Sequence, residues 1–379
     1  MGIKIYITFD NSHAIYRPEE FIRGSIFVNT GEITQLTLTF HGEGNVLWRE
    51  TKFGHDAQNA YDQHNGRVLR SSSKIHPSST SPYHISSPHL SQSEDRWATQ
   101  VDLERNRDTN EIEKIVLEFQ NQETYLHAIQ NIPVPINPEE SKNIMEQNIP
   151  FSFKLPTNLP TSCELTHGSV KYYLEVCVTY KNSGEGISHD ISECVKEPFH
   201  ILGTLDLSRV NGSLRPFVVE NREHFYSFLC LCLRGGEFVM RMSLGRSGYI
   251  PGEKISFELS YKNDTRVTIK KVTARLVETI TYIAEGKKIS EVKEMCEVPH
   301  FTKIFSGDKG ACLGQLPVSH NALITDLGGC RIIRVRYAFI VTAIGSCGRE
   351  AVVEVPITIG ERAPIPGLTG EMTSVKQSN

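Results

Sequence analysis

The residue types able to do covalent or coordination chemistry are thinly spread in this chain. Phe228-Leu229-Cys230-Leu231-Cys232-Leu233 sets two cysteines on alternate positions of an apolar run just before Gly235-Gly236. A free cysteine behaves as a small buried hydrophobe, so a core strand is the default reading of Cys230 and Cys232. Reversible S-acylation in a membrane-facing segment is the alternative. His189, Cys194 and His200 are of types that bind metals, but their spacing is not that of a zinc site, and a half-buried strand histidine fits better. Ser81-Pro82 and Ser87-Pro88 are acceptor patterns for proline-directed kinases. The sequence holds no Gly-rich phosphate loop, HExxH, GxSxG, CxxC pair or EF-hand loop. Its Asp and His residues are too scattered to nominate a triad. No enzyme activity, metal or cofactor is expected.

Composition bounds what such residues could serve. A chain of 379 residues is long enough for two domains with real cores. Nine cysteines, odd in number and irregular in spacing, do not read as a disulfide framework, and reduced thiols are expected. The opening MGIKIYITFD lacks a signal-peptide pattern, and no apolar run approaches the length of a membrane span, so the expected setting is cytoplasmic. The net charge of −4 is unevenly shared. Residues 1–203 carry 17 basic and 26 acidic side chains, and residues 204–379 carry 23 and 18. The second half, at +5, is the one suited to an acidic surface such as an inner membrane leaflet. Arg334 and Arg336 on one strand face, Lys270-Lys271 and Lys287-Lys288 are its basic candidates for peripheral membrane contact. Nucleic acid is not an expected partner.

The elements that position these residues are strands. Ile3, Ile5, Ile7 and Phe9 alternate with polar positions, and Asp10-Asn11-Ser12 supplies turn chemistry. A second strand follows Tyr16-Arg17-Pro18. A third carries Leu36, Leu38 and Phe40 and ends at His41-Gly42, and a fourth holds Trp48. From Gly54 to about Asn110 the alternation is lost. The centre of that stretch is rich in Ser, His and Pro, which predicts a disordered insertion near 54–110. Order resumes with Ile115, Leu117 and Phe119. The longest regular pattern puts Val170, Tyr172, Leu174, Val176 and Val178 on one face and Lys171, Tyr173, Glu175, Cys177 and Thr179 on the other. Pro156 and Pro160 make the piece before it a rigid connector, and Gly168 allows a tight turn.

The strand pattern then restarts as a repeat. Tyr249, Pro251, Glu253 and Ile255 stand at the spacings of Tyr16, Pro18, Glu20 and Ile22, each followed by an alternating strand ending in Asn. This predicts an all-β chain of two tandem immunoglobulin-like sandwiches over 1–203 and 217–361, joined by a linker at 204–216 and followed by a flexible tail at 362–379.

PFSFKLPxxLPxSxExxHGSVKYYLEV, with Phe151, Phe153, Leu155, Pro156, Leu159, Pro160, Ser162, His167, Gly168, Val170 and Tyr172 in place, resembles the signature of the arrestin fold. The closer likeness is to the alpha-arrestins, the arrestin-domain-containing proteins. SGYIPGEKISF, the closing VPITIG and the Leu205-Asp206-Leu207 of the linker are similar to the family's second domain and hinge. The resemblance implies a non-enzymatic adaptor in endocytosis and protein transport, binding cytoplasmic segments of membrane receptors or transporters at the plasma membrane or endosomes. It also implies a possible link to ubiquitination of cargo. Alpha-arrestins recruit HECT-type ubiquitin ligases through PPxY motifs, and none occurs here, which puts that route in doubt. Lys4, on the first strand, is the nearest candidate contact for a phosphorylated partner. The alternative is a structural subunit of a coat-like sorting complex, resembling the arrestin-fold subunit of retromer.

Overall fold

The computed structural model describes residues 4–30, 33–72, 99–106, 111–133, 145–184, 187–225, 236–301, 303–346 and 348–361. The first sandwich comprises β1 (Lys4–Phe9), β2 (Ile15–Tyr16), β3 (Phe21–Thr30), β4 (Ile33–Phe53), β5 (Thr99–Arg105), β6 (Ile112–Ile132), β7 (Met145–Lys154), β8 (Cys163–Leu165), β9 (Gly168–Gly184) and β10 (Ile187–Ile201). One sheet runs β1-β3-β7, the other β2-β10-β9-β4-β6-β5 with β8 on β9. The second sandwich comprises β11 (Phe217–His224), β12 (Glu237–Leu244), β13 (Gly248–Tyr249), β14 (Lys254–Asn263), β15 (Ile269–Ala284), β16 (Lys287–Phe301), β17 (Lys309–Pro317), β18 (Ile333–Gly345) and β19 (Glu350–Ile359). Its sheets run β11-β12-β14-β17 and β13-β19-β18-β15-β16.

The alternation of β9 does what its period predicts. Val170, Tyr172, Leu174, Val176 and Val178 are each at most 2 % exposed, and the strand lies between β10 and β4. Phe9 meets Phe151 of its own sheet and, across the gap between the sheets, Phe199 of the other, both edge-on with ring centroids 6.3 Å apart. Burying such a side chain contributes roughly 1.5–3 kcal/mol, so these rings fix how the two sheets face each other.

The repeat is the same device twice. Glu20 N–H donates to Arg17 O, and Glu253 N–H donates to Ile250 O. Each proline sits second in its turn, followed by a positive φ, 69° at Glu19 and 88° at Gly252. That is a type II turn. Each glutamate reaches back to accept a backbone N–H, from Arg17 at 2.8 Å and from Ile250 at 3.0 Å. The buried tyrosines before the turns lie in short strands that pair in parallel with β10 and β19.

Three expectations are corrected. The third and fourth strands are one: β4 runs unbroken through His41-Gly42 with only a register shift there. Gly42 ends no strand because the Tyr172 ring occupies the place of a Cβ, 2.4 Å away, so the missing side chain is a packing feature. The insertion near 54–110 is ordered at both ends. Helix α1 (Gly54–Ser72) and β5 flank residues 73–98, which lie outside the described residues. The stretch 54–72 contains no proline and one β-branched residue, Val68, and Ala57 is fully buried against the first sandwich. The Gln58 carboxamide accepts a hydrogen bond from Ile112 N–H at 3.3 Å. The thiols are not all reduced: Cys177 and Cys194, directly opposed on β9 and β10, form a disulfide.

Gly168 shows how closely the sandwiches approach. A Cβ there would lie 2.7 Å from Asn45 O and 3.0 Å from Ile333 Cδ1 of the second sandwich, whereas at Gly245 it would meet nothing within 4 Å. Gly168→Ala is expected to cost about 1–3 kcal/mol, with a fall in melting temperature of about 2–4 °C per kcal/mol. Gly245→Ala is expected to leave the melting temperature within a degree or two, and thermal denaturation of both variants checks the contrast.

Candidate functional site

The proline-bounded connector becomes a bracket between the sandwiches. Pro156 to Ser162 pairs with no ladder, so its backbone groups need other partners. Thr161 N–H donates to Leu327 O of the second sandwich at 2.8 Å, and the Tyr172 hydroxyl donates to Pro160 O at 2.8 Å. Thr161 Oγ1 accepts from Gly203 N–H at 3.1 Å, and Ser162 Oγ accepts from Ile201 N–H at 2.8 Å. His167, in the turn from β8 to β9, packs edge-on to Tyr282 with its Nε2 3.4 Å from Glu291. The linker is bound as well. Leu207 is fully buried and donates its N–H to Glu361 O at 2.8 Å, while Glu361 N–H donates to Leu205 O at 2.7 Å.

Side chains close the remaining contact. Arg331 donates from Nε and its backbone N–H to the two Glu123 oxygens at 2.7 and 3.1 Å, and Tyr125 OH donates to Glu123 at 2.7 Å. Tyr125 OH also lies 3.0 Å from Cys330 Sγ. Arg17 reaches both Glu361 carboxylate oxygens at 2.7 Å. Lys287 Nζ stands 4.4 Å over the Phe119 ring and 3.5 Å from Glu50. Burial holds Tyr125 and Tyr172 above the usual tyrosine range and pushes the Cys163 thiol up to about 12.

A surface open to a partner is the outer face of β1-β3-β7. Tyr6 is 60 %, Phe21 49 % and Phe27 37 % exposed, and Tyr6 pairs directly with Phe27. Lys4 shares that face, as do Arg23 and Lys154, with the Arg23 guanidinium 5.4 Å over the Phe21 ring. The outward positions of these strands carry three cations, and Glu146 stands in the same cross-strand row as Lys4 and Asn29. β1 is a terminal strand of its sheet among the described residues. Its unpaired edge can accept an extended peptide by main-chain hydrogen bonds, with the aromatic and cationic groups selecting side chains.

The nominated residues are thus divided. Lys4 stands on this face, but Cys230, Cys232, Ser81 and Ser87 lie outside the described residues. Cys194 is held in the disulfide, and His200 is exposed with its backbone N–H bonded to Ala14 O, so they share no ligand set. Two of the basic pairs are partly used internally, Lys271 on Glu297 at 3.2 Å and Lys287 on Glu50 at 3.5 Å. Arg334 and Arg336 are both exposed on β18. Sequence reasoning missed Tyr6, Phe21 and Phe27. Their signal is parity: each is a large aromatic on the solvent phase of an alternating strand.

Residues 92–208 match the arrestin (or S-antigen) N-terminal domain, and residues 234–364 match the arrestin (or S-antigen) C-terminal domain. The chain is 27% identical over 240 residues to arrestin domain-containing protein 17 of Caenorhabditis elegans, covering 61% of this chain and 51% of that protein. It is 26% identical over 230 residues to arrestin domain-containing protein 1 of Mus musculus, covering 59% and 49%. Thioredoxin-interacting protein of Homo sapiens is 23% identical over 226 residues, covering 59% and 54%. The chain spans about half the length of the curated relatives it matches.

The buried hydroxyls and thiol set an alkaline limit. An unfolded thiol ionises near about 8.5 and a tyrosine near about 10. The folded state keeps these protons to higher pH, so their stabilisation is complete below those values and is lost as pH rises through the raised folded values. Urea midpoints are expected to be flat from about pH 7 to 8 as far as these groups are concerned, and to fall above about pH 9. Tyrosinate absorbance should lag for the buried rings until unfolding.

Proposed function

The chain belongs to the alpha-arrestin family, and on that premise we propose that it is an adaptor in membrane-protein trafficking. It binds cytoplasmic segments of receptors or transporters at the outer face of β1-β3-β7. The observation that carries this reading is the juxtaposition on one terminal-strand sheet of Tyr6, Phe21 and Phe27 with Lys4, Arg23 and Lys154. Contiguous exposed aromatic groups rimmed by charge mark protein interaction sites. Three cations add attraction for acidic or phosphorylated segments, which falls as salt rises.

Such a site needs no catalytic group. The sheet supplies main-chain donors and acceptors, the aromatic rings supply apolar contact, and the paired sandwiches supply a rigid support. Family membership supports the adaptor role in general. The cargo class is our own reading, and recruitment of a ubiquitin ligase would need a route other than PPxY within these residues.

Proximity labelling in cells tests it, comparing the wild type with Lys4→Glu/Tyr6→Ala/Phe27→Ala. All three side chains are exposed, so the melting temperature should stay within a few degrees. Labelling of membrane receptors and transporters should fall several-fold. Undiminished labelling would overturn the docking face. A stable stoichiometric complex with coat subunits that the triple variant leaves intact would replace the adaptor with the coat-subunit reading.

A further inference from the structure

We propose that Glu175, Cys177 and Cys194 form a zinc site that opens when the Cys177–Cys194 disulfide is reduced. The ligand atoms of these three residues lie within 4.8 Å of one another, and among the described residues no other trio of His, Cys, Asp or Glu is gathered in this way. Two sulfurs and a carboxylate oxygen are a donor set that zinc accepts, with a fourth position left for solvent or another side chain.

The ladder holds the site together independently of the disulfide. β9 and β10 pair continuously from Gly184↔Ile187 to Tyr172↔Phe199, with Cys177 directly opposite Cys194 and Glu175 opposite Lys196 in the adjacent register. Breaking the sulfur–sulfur bond therefore leaves both thiols on neighbouring strands of an intact sheet, facing the same side as Glu175. Little reorganisation is needed for them to close on one ion.

His41 is a separate observation pointing to the same place. Its Nε2 is shielded from solvent and makes no hydrogen bond, although it lies 3.3 Å from a Glu175 oxygen. The ring is held by stacking on Tyr173 at 4.6 Å. The imidazole thus stands beside the Glu175 carboxylate without a directed hydrogen bond, close enough to hold that carboxylate in place from outside the donor trio. The other Glu175 oxygen lies 3.4 Å from Lys196 Nζ, two residues from Cys194 on the same face.

The steps balance. A small dithiol attacks one sulfur of the exposed bond, forms a mixed disulfide, and then closes its own disulfide. Two electrons and two protons pass to Cys177 and Cys194, which become free thiols. Zn²⁺ then takes both sulfurs as thiolates, two protons go to solvent, and the metal keeps its oxidation state. Oxidation by a disulfide reverses the sequence and releases the ion, so the site is loaded only under reducing conditions.

Cobalt(II) reports thiolate ligation by a sulfur-to-metal charge-transfer band and by the visible bands of tetrahedral cobalt, and zinc displaces it. The full chain is reduced with a phosphine, freed of reductant and titrated with Co²⁺ alone. The expected result is one cobalt per chain with thiolate bands, lost on adding Zn²⁺ and absent from the oxidised chain. Cys177→Ser/Cys194→Ser should abolish the bands. Glu175→Gln, which keeps both strands and both sulfurs, should weaken affinity by about tenfold or more. Circular dichroism confirms that each variant is folded. If the reduced wild type shows no thiolate bands, or if the double-serine variant, Glu175→Gln or the oxidised chain binds cobalt as the reduced wild type does, the proposal fails.

Discussion

One constraint organises the molecule: the segment from Pro156 to Ser162 runs between two sandwiches without a sheet of its own. A backbone in that position must find partners for every buried polar group or lose stability. It finds them on both sides, in Leu327 of the second sandwich and in Gly203, Ile201 and Tyr172 of the first. Asn158 takes a left-handed φ of 61° at the bend between the prolines, a conformation asparagine tolerates better than most residues. The close approach at Gly168 and the buried Leu207 of the linker depend on this bracket, because each lies where the two cores come within contact of each other.

The interdomain side chains follow from the same approach. Glu123 has a side chain only 10% exposed and accepts from Arg331 and Tyr125, so its charge is matched by hydrogen bonds as well as by a cation. A buried carboxylate without such partners would be costly, and this one is placed where both sandwiches contribute. The outer face of β1-β3-β7 is freed by the arrangement: the second sandwich docks through β4, β6 and the turn before β9, leaving that smaller sheet to solvent. The interdomain contacts and the proposed docking face thus lie on different sheets of one domain.

Much of this was legible in residue order. Period-two runs locate the buried faces of β4, β6 and β9, and the Tyr-x-Pro-x-Glu repeat locates two equivalent turns. What misled were residues whose usual meaning was overridden by packing. Gly42 was read as a strand end, but it makes room for Tyr172. The polar helix α1 has few apolar residues to betray its period and is recruited by contacts around Ala57 and Gln58 that exist only once β4 and β6 are paired. Cys177 and Cys194 stand symmetrically about Gly184–Ile187, so a hairpin reading would have opposed them, whereas counting cysteines hid the pair. The candidate docking face is half visible in residue order: Lys4 stands out, while Tyr6, Phe21 and Phe27 look like ordinary strand residues, because alternation marks the buried phase and not what the solvent phase does.

The central claim is that the bracket makes two sandwiches behave as one body. Differential scanning calorimetry of the full chain tests it most directly, because independent domains melt separately and coupled ones do not. The account predicts a single endotherm whose calorimetric and van't Hoff enthalpies agree. Two resolved endotherms, each with the enthalpy of one sandwich, would contradict it.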